Sequence, residues 1–119
     1  MSQTRIIQEK IEEGGALFLA TYFNMENACM FFLSENESRL GTLAVALPQK
    51  QKIIGPPLSS ILLGDRNMMI ARILAERLAS KMNTIALVSI FIKTVNEREA
   101  GPILLRLLEK TLRKGGVEE

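Results

Sequence analysis

Residues 85–92, Ile-Ala-Leu-Val-Ser-Ile-Phe-Ile, are apolar on both sides of any extended chain. Successive side chains of a strand point to opposite faces, so such a strand cannot lie on a core with its other side in water. It belongs inside a sheet and must be covered twice. Residues 16–23, Ala-Leu-Phe-Leu-Ala-Thr-Tyr-Phe, make the same demand. Whatever this chain folds into, a sheet with cover on both faces is at its centre.

The remaining elements arrange themselves around these two. Residues 4–12 alternate weakly, with Ile7 and Ile11 on one side and Gln8 and Lys10 on the other, as a half-exposed strand does. Gly14-Gly15 breaks that strand. The short polar segment Asn24-Met25-Glu26-Asn27 has hairpin length and leads to a third strand at residues 28–33. A polar turn over 34–39 leads to a fourth at 40–47. Short connections predict that the four strands pair as an antiparallel meander.

Residues 48–60 hold two adjacent prolines and a glycine and cannot form a regular helix. The segment is either a plain crossover or a contact, with Lys50, Lys52, Ile53 and Ile54 offered to a partner. The run Leu62-Leu63-Gly64-Asp65 reads as the opening of a helix, with Asp65 as N-cap. Met69, Ile70, Ile73, Leu74, Leu78 and Met82 recur at helical spacing and predict its buried stripe, with Met68 more exposed. Arg66 and Met68, at the start of this helix, join the candidate partner contacts. Asn83 suits the helix end.

A second helix follows the strand at 85–92. It is expected to begin near Glu99, with Pro102 in its first turn and Gly115-Gly116 after its end. Ile103, Leu104, Leu105, Leu107, Leu108 and Leu112 cover an arc of roughly 200°, wider than one sheet requires. Either the helix is wedged between the sheet and the first helix, or it offers Ile103, Leu107 and Leu108 for self-association. The expected fold class is therefore α+β, a single domain over residues 1–119 with element order β-β-β-β-α-β-α. Two helices pack on one face of the sheet. A second chain or folded-over strands should cover the other.

Chemistry is scarce by comparison. The chain has no His and one Cys, which argues against zinc and transition-metal sites and against a His-activated nucleophile. Cys29 lies in an apolar run, and Ser89 lies in a buried strand; neither has a base in sequence reach. The acidic pairs Glu12-Glu13, Glu35 with Glu37, and Glu118-Glu119 read as solvated turns or tail. No phosphate-binding glycine motif is present. A net charge of +2 argues against a dedicated nucleic-acid binder. No apolar run approaches the ~20 residues of a membrane helix, and the first residues lack the apolar core of a signal peptide. These features predict a cytoplasmic protein that is not an enzyme and carries no cofactor.

Joint order and spacing supply a further clue. The segment 43–47 (Leu-Ala-Val-Ala-Leu), Leu62-Leu63-Gly64-Asp65, Leu74-Ala75, Arg77-Leu78-Ala79, Lys81, Asn83 and Val88-Ser89 resemble the small proteasome assembly chaperones. The likeness is greatest to the fourth such chaperone and its third-chaperone partner, and it covers roughly residues 40–113. The resemblance implies a non-catalytic assembly chaperone or scaffold that binds proteasome α-subunits or a partner chaperone. It also implies a homodimer or a pairing with a related subunit. The charge and the missing histidines suit an archaeal-type relative. The chain departs from family members that dock through a hydrophobic–tyrosine–any-residue tail, because its only tyrosine, Tyr22, lies in a strand. By that likeness, contact with an α-subunit uses a surface, or a partner supplies the tail. A small ligand-binding or regulatory domain is the alternative reading, and it would need a pocket with convergent polar groups.

Overall fold

A computed structural model describes residues 5–48 and 58–116. The elements are β1 (Arg5–Glu13), β2 (Ala16–Asn24), β3 (Ala28–Glu35), β4 (Thr42–Leu47), β5 (Leu58–Leu63), α1 (Met68–Met82), β6 (Ile85–Phe91) and α2 (Glu97–Lys114). The fold is α+β. One six-stranded sheet has the order β1-β2-β3-β6-β4-β5. Every neighbouring pair is antiparallel except β3 with β6, which is parallel.

Two features depart from the expected meander. The strands β3 and β4 do not pair with each other, because β6 lies between them. The two all-apolar strands are thus both interior, as their composition demands. The second departure is β5, where the sequence reading placed the end of a loop and the start of a helix. A six-residue apolar run, Leu58-Ser59-Ser60-Ile61-Leu62-Leu63, has no period that separates strand from helix. Pairing with β4 decides it, with a register shift beside Leu43 and Ala44.

The core lies between the sheet and both helices. Phe18, Ala20 and Tyr22 of β2, Cys29, Phe31 and Leu33 of β3, Ala44 and Ala46 of β4, and Ala86, Val88 and Ile90 of β6 are all buried on that side. The buried stripe of α1 is Ile70, Ala71, Leu74, Ala75, Leu78 and Ala79. The alanines recur every four residues, so they line one face of the helix and let it approach β4 and β6, which offer small alanines in return. This stripe leaves Met69 and Ile73 outside it, 68% and 53% exposed, although helical spacing had placed both in the core.

Capping also differs from expectation. Asn67, in a left-handed conformation, precedes α1 and makes no side-chain cap. Asp65 does not cap either. Instead the Glu97 carboxylate, from the first turn of α2, accepts from the Ile70 N–H at 2.8 Å. Asn83 ends α1 with φ of 54°, a left-handed conformation that Asn tolerates better than most residues.

The helix α2 starts at Glu97, capped by Asn96, whose side chain accepts from the Glu99 N–H. Pro102 therefore falls in the second turn rather than the first. Ile103, Leu107 and Leu108 are 8%, 0% and 0% exposed. They are covered by the chain's own core, where α2 packs on β1 and β2 beside α1. That accounts for the wide apolar arc, and it removes these three side chains from any surface open to a second copy.

Candidate functional site

The alternation that buries one face of the sheet fixes what lies on the other. Cross-strand register aligns Ile6, Phe23, Met30, Leu87, Val45 and Ser60 in one row from edge to edge. The next row is Gln8, Thr21, Phe32, Ser89, Leu43 and Leu63. Lys10, Leu19, Ser34 and Phe91 form a third across β1, β2, β3 and β6. Both helices pack on the opposite face, so among the described residues no helix or strand covers this one, and only the link before β4 lies against its end, at Ser89 and Phe91.

The face is apolar at its centre. Phe23, Met30, Phe32, Leu43, Val45, Leu87 and Phe91 are half-buried by their neighbours within the sheet. The Phe23 and Phe32 rings meet edge to face at 5.7 Å. Towards the corners exposure rises, to 62% at Ile6, 44% at Leu47 and 69% at Leu58. Polar groups gather at the margin: Gln8, Lys10 and Glu12 on β1, and Arg39, whose guanidinium sits 5.6 Å from the Phe91 ring centre. An apolar centre inside a polar rim is the anatomy of a protein–protein contact.

Dimensions fit that reading. With strands ~4.8 Å apart, the outer axes of the sheet lie ~24 Å apart, and six residues of strand run ~20 Å. The whole face, polar margin included, projects an area on the order of 500 Å², so its apolar centre is a patch of roughly 300 Å², a size that often marks a contact.

Of the partner contacts expected from sequence, Arg66 and Met68 can be placed. Lys50, Lys52, Ile53 and Ile54 fall outside the described residues. Arg66 is exposed in the link from β5 to α1, and Met68, 44% exposed, opens α1. Met68 stands beside Ile61, Met69, Arg72, Ile73 and Glu76 along a groove of about 440 Å³. Neither residue belongs to the uncovered sheet face. The signal for that face was present in the apolar strands, which asked for a second cover, but strand order was needed to say which side chains share it.

The interior polar groups have structural roles. Ser89 is buried, and its Oγ accepts from the Gly41 N–H at 2.8 Å, fastening the start of β4 to β6. Burial pushes the Cys29 thiol up to about 12, which the neighbouring Tyr22 hydroxyl only partly offsets. Tyr22 Oη has no full hydrogen-bond partner; the thiol beside it is too weak to serve as one. Glu35, read from sequence as solvated, is 3% exposed. Its carboxylate accepts from the Lys93 and Thr94 N–H groups, at 2.8 and 3.0 Å, and from the Thr94 hydroxyl. Burial pushes this carboxyl up. The hydrogen bonds from Thr94 and Lys93, with the Lys93 charge, outweigh burial and hold it below its ordinary range. The glutamate thus clamps the link from β6 to α2. Among the described residues no group of three or more His, Cys, Asp or Glu side chains could hold a metal ion.

Set beside known families, residues 18–92 match the model of proteasome assembly chaperone 4. The chain belongs to that family. The match begins in β2, upstream of the span on which the sequence resemblance rested, and ends just past β6, so β1 and α2 lie outside it. A chain from a novel chaperone complex for yeast 20S proteasome assembly has a similar fold, with a TM-score of 0.66 at 15% identity. The likeness covers 92% of this chain and 98% of that one. No curated protein matches the sequence. Within the family match, β2, β3, β6, β4 and β5 contribute the whole apolar centre of the uncovered face.

Proposed function

We propose that this chain is a non-catalytic assembly chaperone that pairs through its uncovered sheet face, with a second copy or a related chaperone, and binds proteasome α-subunits in the cytoplasm. One observation carries the pairing: among the described residues of a family member, an apolar sheet face lies open, ringed by polar side chains. A second such face laid against it would make a sandwich, with sheets ~10 Å apart and helices outermost. The four exterior helices and their flanking loops would then be the surfaces left for a client.

The mechanism asks nothing of a reactive group. A chaperone of this kind works by binding an assembly intermediate more tightly than the finished particle, and it shifts the population by that difference alone. Family membership supports the choice of client.

Light-scattering mass determination on a sizing column tests the reading, with and without a purified proteasome α-subunit from the same source. The expected result is a dimer that moves to a heavier species when the α-subunit is added. A chain that remains monomeric across micromolar concentrations, with no related chaperone able to shift it, would overturn the pairing. A dimer that ignores every α-subunit would overturn the choice of client.

A further inference from the structure

The two edges of the sheet are finished differently. At one edge β1 is nine residues long and carries Arg5, Glu9, Lys10, Glu12 and Glu13. Its backbone is also occupied: Lys114 Nζ donates to the Gln8 carbonyl at 2.9 Å and Lys110 Nζ to the Lys10 carbonyl at 3.2 Å. Charged side chains and lysines reaching over from α2 are the devices that keep a strand edge from pairing.

Among the described residues the other edge shows neither, although its pairing with β4 carries a register shift. The strand β5 carries no charge and no proline, and Leu58, Leu62 and Leu63 are 69%, 54% and 46% exposed. Among the described residues no strand pairs with its outer side. An edge of this kind presents unpaired N–H and C=O groups that select an extended backbone. Beside it runs the groove of about 440 Å³ lined by Ile61 of β5 and by Met68, Met69, Arg72, Ile73 and Glu76 of α1. Met69 and Ile73, left out of the core by the alanine stripe, form its apolar wall. Arg72 Nε donates to Ser59 Oγ at 3.0 Å, and Ser59 Oγ also bonds to Glu76, so the helix is tied to the strand along the groove.

We propose that this groove takes an extended segment of another protein, added to the sheet as a strand against β5, with alternate apolar side chains seated on Met69 and Ile73. Two arguments choose a segment over a second copy. The first is size. A six-residue edge is ~20 Å long, and a strand and helix wall of that length offers well under the ~800 Å² per partner of a standard dimer. The second rests on the face-to-face pairing proposed above. A dimer joined by its sheet faces keeps two β5 edges. If each edge joined that of another copy, assembly would continue past the dimer, to a closed tetramer or an open fibre as the two axes dictate. A strand supplied by a different chain ends growth.

The test pans a phage-displayed library of random nine-residue peptides on the whole chain, with counter-selection on the double variant Leu62→Lys, Ile73→Glu. Both positions are exposed, so the variant should fold, and circular dichroism checks that it does. The expected peptides alternate apolar residues and slow amide hydrogen exchange in β5. They should bind the double variant at least about tenfold more weakly. Light scattering should give wild type and variant the same mass, because neither change lies at the apolar centre of the open face. No enrichment would overturn the proposal. So would peptides that protect β1 or leave β5 exchange unchanged. Wild-type assemblies larger than a dimer that Leu62→Lys disperses would assign the edge to a second copy and overturn the choice of occupant. An unpaired monomer that still selects such peptides would show that the sheet-face pairing had failed and the strand site had not.

Discussion

Leu87→Glu addresses the uncovered face at its centre. Leu87 lies in β6 between Met30 and Val45, in the row that crosses the sheet, with its side chain away from both helices. In the isolated chain a glutamate there can reach water, because the position is half-buried and nothing among the described residues lies over it. The fold should therefore lose no more than about 1–2 kcal/mol, chiefly apolar contact with Met30 and Val45. In a face-to-face dimer the same carboxylate would be buried without a partner, once from each copy. An unpaired buried charge costs about 3–5 kcal/mol, so the pair would weaken association by about 6 kcal/mol or more. At ~1.4 kcal/mol per tenfold, a micromolar dimer would pass beyond the millimolar range and run as a monomer. Light scattering at several concentrations reads the mass, and far-ultraviolet circular dichroism reads the fold. A folded Leu87→Glu chain with an undiminished dimer would refute the assignment of this face as the pairing surface.

Three further outcomes follow from the interior. Glu35→Gln should destabilise the chain by about 1–3 kcal/mol at neutral pH, since the amides of Lys93 and Thr94 lose a charged acceptor. Because the folded carboxyl titrates below its ordinary range, its contribution is complete above the unfolded value of ~4.3 and fades as pH falls through the folded one. Denaturant titrations should thus find the gap between wild type and Glu35→Gln widest above pH ~5, narrowing in acid. Gly41→Ala should be severe, because a methyl there would overlap the Ile90 carbonyl and lie 2.8 Å from Phe91 Cα, both backbone groups that cannot turn aside. A loss of about 3 kcal/mol, or roughly 10 °C in Tm, is expected by calorimetry. Cys29, buried and with its thiol raised to about 12, should resist iodoacetamide at neutral pH until denaturant is added.

Much of the architecture was legible because burial on two faces leaves a plain mark. Residues 16–23 and 85–92 could only be interior strands, and they are. Asn83 ends its helix as expected because a left-handed terminal residue has few tolerable identities. Other features depended on partners distant in sequence. Glu35 reads as a turn residue until β6 brings the amides of Lys93 and Thr94 to it. Met69 and Ile73 share the period of a core stripe, but close packing favoured the alanines at 71, 75 and 79. The leucines of α2 looked sufficient for two surfaces, and the chain's own core takes both. The uncovered face was foreseen as a need for a second cover. Its membership was hidden, since β6 enters the sheet out of chain order.

That insertion has a consequence in time. Until β6 is made, β3 and β4 face an unfilled slot, each with an apolar edge and no neighbour on that side. Nothing in the first part of the chain can close the sheet, because the missing strand comes after α1. A nascent chain must hold two separate hairpin layers, β1-β2-β3 and β4-β5, until residues 85–91 emerge and join them. Such closure by a late strand is slow and leaves edges open to foreign pairing while it waits. A protein whose family is named for the assembly of another particle passes through a hazard of assembly on the way to its own fold.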